Sequence, residues 1–249
     1  MKSIYKIKIH PLFYIVTLIF ILTGHFHDFI LFMVIILFHE LGHIFSGILF
    51  KWRIKRVNIL PFGAITIFDE GLNKPLIEEF IISISGVVFQ TIIYILLKDK
   101  YDVWSIHYSL LFFNLLPIVP LDGSKILNEL LNIVFPFKNS LYISIKISFI
   151  SIIVISLIVF SKYFNFIFLL MILFLVVKIV EEFKNKNFIF NKFLYERYVF
   201  PKKYKQIKVI DGIKVDYIYK ERSHIFKEKN KCYTEREILT KRFDIKGKL

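Results

Sequence analysis

Three ionisable residues lie within one hydrophobic run of the sequence. His39, Glu40 and His43 belong to the segment His-Glu-Leu-Gly-His, inside an apolar stretch long enough to cross a membrane. Ionisable groups at membrane depth are costly and usually mark a functional site. Residues four apart share a helical face, so His39 and His43 can bind one metal ion, with Glu40 beside its open side. This is the pattern of zinc hydrolases, in which the glutamate is the general base.

A catalytic zinc ion takes three protein ligands and a water, so this pattern needs one more ligand. The best candidate follows the apolar stretch that ends near residue 118. Pro117 and Pro120 break a helix there, and irregular backbone at membrane depth is tolerated only against protein or a water-filled cavity. Asp122 comes directly after the break, beside Gly123. A helix N-cap is the competing role for Asp122.

The composition indicates an all-α polytopic membrane protein. Of the 249 residues, 56% are hydrophobic, and the mean hydropathy is +0.59, which few soluble domains reach. The first apolar segment follows a basic N-terminus and resembles a signal sequence, but no small-residue cleavage site follows it, so we interpret it as a span. Six apolar segments predict spanning helices, at about residues 9–23, 29–50, 76–97, 103–118, 141–160 and 163–180.

The basic residues orient these spans. With the N-terminus in the cytoplasm, the inside segments 1–8, 51–75 and 122–140 hold ten Lys and Arg residues, and the opposite segments hold three. The positive-inside rule therefore predicts that both termini face the cytoplasm.

The composition changes near residue 184. We therefore predict a membrane domain at residues 1–183 and a small basic cytoplasmic tail or domain at residues 184–249. The tail has 19 Lys and Arg residues against 8 Asp and Glu residues, and a basic face of this kind suits anionic lipid. The chain has a formal net charge of +14 but no nucleic-acid recognition motif, so we expect no nucleic-acid partner.

Two local signals predict structure within the tail. Residues 207–215 contain the pair Asp211-Gly212, which predicts a β-hairpin that turns at this pair. Residues 232–242 predict a helix.

The connection after the second span is too apolar for an ordinary water-exposed loop. Residues 57–75 include Pro61 and Gly63, which mark a turn between apolar segments. One interpretation is a short membrane-associated β-hairpin, whose edge strand could pair with an extended peptide. The other is a partly buried connector. The sequence alone leaves both open.

The two motifs together resemble those of the site-2 proteases, membrane-embedded zinc metalloproteases that cut other membrane proteins within or near the bilayer. The resemblance covers roughly residues 9–180. It is carried by His-Glu-Leu-Gly-His in one span and, in a later one, by Asn114, Pro117, Leu121, Asp122 and Gly123.

This resemblance implies a role for each matching residue. His39, His43 and Asp122 would bind Zn²⁺, and Glu40 would be the catalytic base. Asn114 would contact the substrate or the oxyanion, although asparagine also joins spanning helices by hydrogen bonds. The third span departs from the family, which often shows Gly-Pro and a downstream asparagine where this chain has Gly86-Val87 and, further on, Gln90. No role is assigned to those positions.

Within the family, the chain is most similar to the sporulation branch, whose members release a mother-cell sigma factor from its precursor. The loop of about 25 residues after the second span is too short for the PDZ domain of other branches. The tail is too short for a full cystathionine-β-synthase-type domain. The similarity implies a membrane-associated protein substrate, such as a sigma-factor precursor, together with membrane-protein inhibitors or regulators. It also implies a multi-pass protein of the bacterial cytoplasmic membrane, in the mother-cell membrane around the forespore.

Two other functions compete with this interpretation. The first is a non-catalytic metal-binding membrane protein, either a transporter or an inactive relative of the protease. Glu40 argues against it, because a transporter needs exchangeable ligands and no general base. The second is a soluble-type zinc hydrolase with a membrane anchor, which the position of the motif inside a span argues against.

Overall fold

A computed structural model gives the fold and describes residues 6–60, 63–68, 71–162, 166–229 and 231–244. The chain is mostly helical and has two small sheets. A 3₁₀ turn lies at Val215–Tyr217. In chain order, the elements are β1 (Lys6–Ile9), α1 (Pro11–Leu22), α2 (Phe26–Leu49), β2 (Ile54–Leu60), β3 (Gly63–Phe68), α3 (Leu76–Leu97), α4 (Trp104–Leu115), α5 (Asp122–Val134), α6 (Phe137–Lys162), α7 (Phe166–Val199), β4 (Ile207–Asp211), β5 (Ser223–Glu228), β6 (Lys231–Thr234) and α8 (Glu235–Phe243).

Among the described residues, three helices are long and apolar enough to cross a membrane. They are α2, α3 and the Phe137–Ile158 part of α6. Helices α1 and α4 have 12 residues each, which gives about 18 Å of helix, whereas the hydrocarbon core is about 30 Å thick. Helix α7 has 34 residues and overlaps the sixth predicted span. Every predicted span therefore overlaps a helix, while six membrane crossings stay a prediction.

Helices α2 and α3 approach closely because small residues line their contact. A Cβ atom at Gly42 would lie 2.4 Å from the carbonyl oxygen of Ser85, so only glycine fits there. Nearby, the hydroxyls of Ser46 and Ser85 hydrogen-bond at 2.8 Å. Small residues allow this kind of backbone approach between membrane helices. The contact brings the His39–His43 face of α2 against α3.

The connection between α2 and α3 is a β-hairpin, as one of the two interpretations predicted. Strands β2 and β3 pair antiparallel. Strand β1 pairs in parallel with the other side of β2, so the order is β1-β2-β3 and β3 is an edge strand. The turn itself, residues 61–62, lies outside the described residues. The contact of this hairpin with a membrane surface stays a prediction.

The hairpin predicted at residues 207–215 is wrong. Gly212 adopts a φ of 78°, in agreement with a turn, but the chain then enters the 3₁₀ turn. Strand β4 pairs in parallel with β5, and β5 pairs antiparallel with β6. The Asp-Gly signal reports only the local turn, while the choice of strand partner is made by packing over a longer distance.

The helix predicted at residues 232–242 is shorter at its beginning, because β6 occupies residues up to Thr234. Helix α8 starts at Glu235, where the Thr234 side chain accepts a hydrogen bond from the Glu237 backbone N–H and the Glu237 side chain accepts one from the Thr234 backbone N–H. This reciprocal capping box fixes the start of a helix.

The tail packs on the helices rather than standing apart. Lys220 forms an ion pair with Glu79, and the Leu76 backbone N–H donates to Glu221, so the tail contacts the start of α3. Helix α7 also continues across residue 183, and the domain division at that position stays a prediction. A shared core joins α6 and α7 to the tail strands and α8, and it contains Phe137, Phe190, Phe193, Leu194, Ile210, Ile218, Phe226, Ile238 and Leu239.

Candidate metal centre

Three predicted ligand residues converge at one point. His39 and His43 lie one turn apart on α2, and Asp122 is the first residue of α5. The Oδ2 atom of Asp122 lies 2.9 Å from Nε2 of His39 and 3.0 Å from Nε2 of His43. The two Nε2 atoms are 3.1 Å apart. All three residues are at most 5% exposed, so two distant stretches of sequence meet in a buried site.

Glu40 lies beside this cluster. His39, Glu40 and His43 each offer a ligand atom, and these atoms lie within 4.8 Å of one another. The Glu40 carboxylate is buried, and its Oε2 atom accepts a hydrogen bond of 2.7 Å from the Thr66 hydroxyl on strand β3. A buried carboxylate beside a candidate metal site can take and return a proton during hydrolysis.

The far nitrogen of each histidine contacts a hydrogen-bond acceptor. Nδ1 of His43 lies 2.7 Å from the Ile82 carbonyl oxygen, which can only accept, so this nitrogen carries a proton. Nδ1 of His39 lies 3.0 Å from Oε1 of Gln90. The Gln90 amide nitrogen donates to the His107 carbonyl oxygen at 3.0 Å, which fixes the amide orientation and leaves Oε1 to accept from His39.

These contacts prepare both Nε2 atoms for a cation. A neutral imidazole that is protonated at Nδ1 presents an unprotonated Nε2. Two such nitrogens and a carboxylate oxygen about 3 Å apart repel one another unless a positive ion lies between them. Ligands around tetrahedral zinc are about 3.3 Å apart when the metal–ligand distances are about 2.0–2.1 Å. The observed donor set therefore fits a tetrahedral metal ion after small adjustments.

Gly86 on α3 leaves room for this ion. A Cβ atom at Gly86 would lie 2.5 Å from Nε2 of His43 and 2.7 Å from Nε2 of His39. A side chain there would occupy the space that the two nitrogens face. The absence of a side chain at residue 86 is therefore part of the site.

Asp122 does not cap helix α5. The N-cap position is Leu121, and Asp122 follows it as the first helical residue. One carboxylate oxygen, Oδ2, faces the two histidines, and the other, Oδ1, accepts a hydrogen bond of 2.8 Å from Nζ of Lys125. Lys125 thus holds the carboxylate so that a single oxygen points at the candidate metal position.

Asp122 follows a segment of irregular backbone, as Pro117 and Pro120 predict. Helix α4 ends at Leu115, and α5 begins at Asp122. The Ser148 hydroxyl of α6 holds the segment between them: it donates to the Pro117 carbonyl oxygen at 3.0 Å and accepts from the Val119 backbone N–H at 3.2 Å. Buried backbone groups of this kind need such partners.

A small cavity adjoins these side chains. Its volume is about 30 Å³, and its walls include Asn114 and Thr66 as well as Glu40 and the three candidate ligands. This is enough space for an ion or a water molecule. The structure therefore brings together all five of the predicted site residues, including Asn114.

Four further residues contribute to the site, although the sequence assigned them no role there. They are Thr66, Gly86, Gln90 and Lys125. The signal for Gln90 was present, because an amide side chain inside an apolar span needs a hydrogen-bond partner. The signal for Lys125 was its position three residues after Asp122, on the same helical face.

Comparison with known proteins identifies the family. A model of peptidase family M50 matches residues 28–98, which contain α2, the hairpin and α3. Stage IV sporulation protein FB of Bacillus subtilis is 33% identical in an alignment of 207 positions that covers 78% of this chain and 72% of that protein. The chain belongs to peptidase family M50.

A second relative and a solved structure extend the comparison. Zinc metalloprotease MJ0392 of Methanocaldococcus jannaschii is 30% identical in an alignment of 133 positions that covers 48% of this chain and 38% of that protein. The structure of a site-2 protease from the same organism superimposes with a TM-score of 0.58 at 23% identity. The superposition covers 73% of this chain and 93% of the chain of that protease. The fold is therefore that of a site-2 protease, and the M50 chain is a zinc-dependent intramembrane protease.

Proposed function

We propose that this chain is an endopeptidase that uses His39, His43 and Asp122 to bind zinc and Glu40 as its base, and that it cuts a membrane-associated protein. The observation that carries the proposal is the meeting of Asp122 with the two histidines beside a buried glutamate. Bound zinc would supply the Lewis acidity that lowers the pKa of water toward neutrality.

In this proposal, each side chain of the site has its own role in hydrolysis. Glu40 takes a proton from the attacking water and later gives it to the leaving amine. Gln90 and the Ile82 carbonyl oxygen hold the two imidazole rings in one tautomer. Asn114 lines the same cavity, where its amide can steady the substrate or the developing oxyanion.

The edge strand β3 provides a place for an extended substrate. Its residue Thr66 contacts Glu40, so a peptide that pairs with β3 would lie about one strand spacing, near 4.8 Å, from the strand that touches the base. Because the peptide bonds of a helix are shielded, a helical substrate must unwind locally before it binds in this way. Main-chain pairing would give affinity without a strict sequence requirement.

We infer further that the substrate is a sporulation sigma-factor precursor. The support is the 33% identity to a protein named for stage IV of sporulation, over 72% of its length. In this proposal the chain lies in the bacterial cytoplasmic membrane with six spans and both termini cytoplasmic, which the apolar segments and the distribution of basic residues support. The mother-cell membrane around the forespore would be its site of action, and membrane-protein inhibitors would control it.

The test compares two substitutions that act on different parts of the site. Glu40→Gln should abolish cleavage of a co-expressed membrane-associated sigma-factor precursor, while the purified protein keeps one zinc per chain. Asp122→Asn should lose both cleavage and zinc, because a neutral amide replaces a charged ligand. The matched control is Glu181→Gln, whose side chain is 54% exposed on α7. The proposal fails if Glu40→Gln cleaves as the wild type does. If zinc transport changed instead of cleavage, the chain would be a transporter.

A further inference from the structure

Strand β3 touches the catalytic machinery at one polar contact. The Thr66 hydroxyl donates to Oε2 of Glu40 at 2.7 Å, and both residues are buried. The two residues belong to different elements, 26 positions apart in the chain. A neutral hydroxyl that donates to a buried carboxylate forms one of the stronger hydrogen bonds in a protein.

The position of this hydroxyl is fixed by the packing of the strand. Thr66 pairs with Val57 of β2 in the antiparallel ladder. Two residues further on, Phe68 lies on the same face of β3, because strand side chains alternate. The Phe68 ring packs so closely on Gly47 of α2 that a Cβ atom at Gly47 would lie 2.4 Å from it.

The two residues of α2 that contact β3 are spaced to lie on one face of the helix. Glu40 and Gly47 are seven residues apart, which is close to two helical turns, so they lie on one face of α2. Strand β3 therefore contacts α2 at two points, through Thr66 on Glu40 and through Phe68 on Gly47. The second contact places the strand, and the first then fixes the carboxylate.

A carboxylate that acts as a base must present one oxygen to the water. The hydrogen bond from Thr66 engages Oε2 of Glu40, so the carboxylate is held in one orientation and Oε1 is the oxygen that would receive the proton. Without this donor, the carboxylate would rotate among several orientations, and few of them would be productive.

We propose that Thr66 is a positioning residue that orients Glu40 for proton transfer, so that edge strand β3 controls the geometry of the base. The inference rests on the proposed protease function. Thr66 does not contact the candidate metal ligands through any hydrogen bond that the structure shows among the described residues. Its loss should slow the chemical step without releasing the metal.

The test uses full-length protein in lipid nanodiscs and fluorescently labelled casein, an unstructured protein that offers extended peptide. Thr66→Val removes the hydroxyl and keeps the branched shape, while Thr66→Ser keeps the hydroxyl. We expect Thr66→Val to lower kcat by about 10- to 100-fold, the scale of a misplaced catalytic group. KM should stay within about threefold, and zinc content should be unchanged. Thr66→Ser should recover most of kcat.

Two controls separate the possible failures. Thr17→Val removes a hydroxyl that donates within helix α1, to the Phe13 carbonyl oxygen, and should leave kcat unchanged. If wild type and Glu40→Gln gave equal rates, the protease function would fail rather than the role of Thr66. If Glu40→Gln were inactive while Thr66→Val matched wild type or exceeded it, the positioning role would be refuted. A loss of zinc in Thr66→Val, or equal damage in Thr66→Ser, would also refute it.

Discussion

The histidines of the metal centre and a histidine of the tail differ in how completely the protein satisfies them. His224 is buried in the tail, where Nε2 accepts from the Tyr219 backbone N–H at 3.0 Å and Nδ1 lies 2.8 Å from Oε2 of Glu235. His39 and His43 are equally buried, and each donates from Nδ1 to an acceptor, but their Nε2 atoms lie against each other and against Oδ2 of Asp122.

This difference separates a histidine with a structural role from histidines that can bind a ligand. The nitrogens of His224 each have a complementary partner, so the ring stabilises the tail and has nothing left to bind. The two Nε2 atoms of α2 and Oδ2 of Asp122 form a donor set that suits a cation. Burial and residue type are the same in both places, so the informative feature is the chemistry of the partners around each ring nitrogen.

The largest effect is expected from a methyl group at residue 86, beside the two Nε2 atoms. In Gly86→Ala, the new methyl group would lie within 2.7 Å of both Nε2 atoms. We expect the purified protein to lose bound zinc and its cleavage rate to fall to that of Glu40→Gln. Val88→Ala, at an exposed position of the same helix, is the matched control. A Gly86→Ala protein that kept one zinc per chain would show that the ion does not lie where the nitrogens meet.

A smaller effect should follow from the loss of the far contact of His39. Gln90→Leu removes the acceptor of the Nδ1 proton but leaves all candidate ligands in place. Outer partners of metal-bound histidines contribute about 10- to 100-fold to metal affinity or activity, and we expect a loss of zinc affinity in this range. Competition with a chelator of known affinity measures it, with Thr91→Val as the neighbouring control. Unchanged affinity would mean that Gln90 serves only the packing of α3 on α4.

The smallest effect is expected in the tail, where the partners are complete. Burial alone would raise the pKa of the Glu235 carboxyl, but hydrogen bonds from His224 and Arg197 hold it below its ordinary value of 4.5. The stabilisation by this carboxylate is therefore full above pH 4.5 and is lost as the pH falls through the lower pKa of the folded state. A hydrogen bond to a charged group contributes about 1.5–3 kcal/mol, and we expect the loss to be of this order.

Hydrogen exchange of the tail strands between pH 3 and pH 6 measures this loss. Glu235→Gln should be less stable at pH 6 and should respond less to acid, while its zinc content at neutral pH matches wild type. Equal acid sensitivity in the variant would assign the pH response to other carboxyl groups.

The sequence predicts the metal centre better than it predicts the tail, for a physical reason. His39, Glu40 and His43 are neighbours on one helix, so their spacing alone determines their geometry. Asp122 was predictable because Pro117 and Pro120 predict a break in the helix directly before it. Gln90 lies 51 residues from its partner His39, and only tertiary packing brings the two together.

The errors in the fold have the same origin. The Asp211-Gly212 turn is present, but β4 pairs with β5, a choice made by the core that α7 and α8 share with the sheet. Helix α5 entered the sequence analysis only as the helix that Asp122 could cap, because residues 122–140 were interpreted as a connection between spans. Local signals fix turns and helix faces, whereas pairing and packing depend on residues far apart in the chain.

The cavity at Glu40 and the candidate ligands, at about 30 Å³, has room for one water molecule but not for a peptide segment. A scissile peptide bond can reach Glu40 only after the walls of this cavity move apart. For the proposed protease, this would make substrate choice depend on which polypeptide segments can widen the cavity as well as on the side chains that flank the cut. Neighbouring proteins of the bilayer that cannot do so would be left intact.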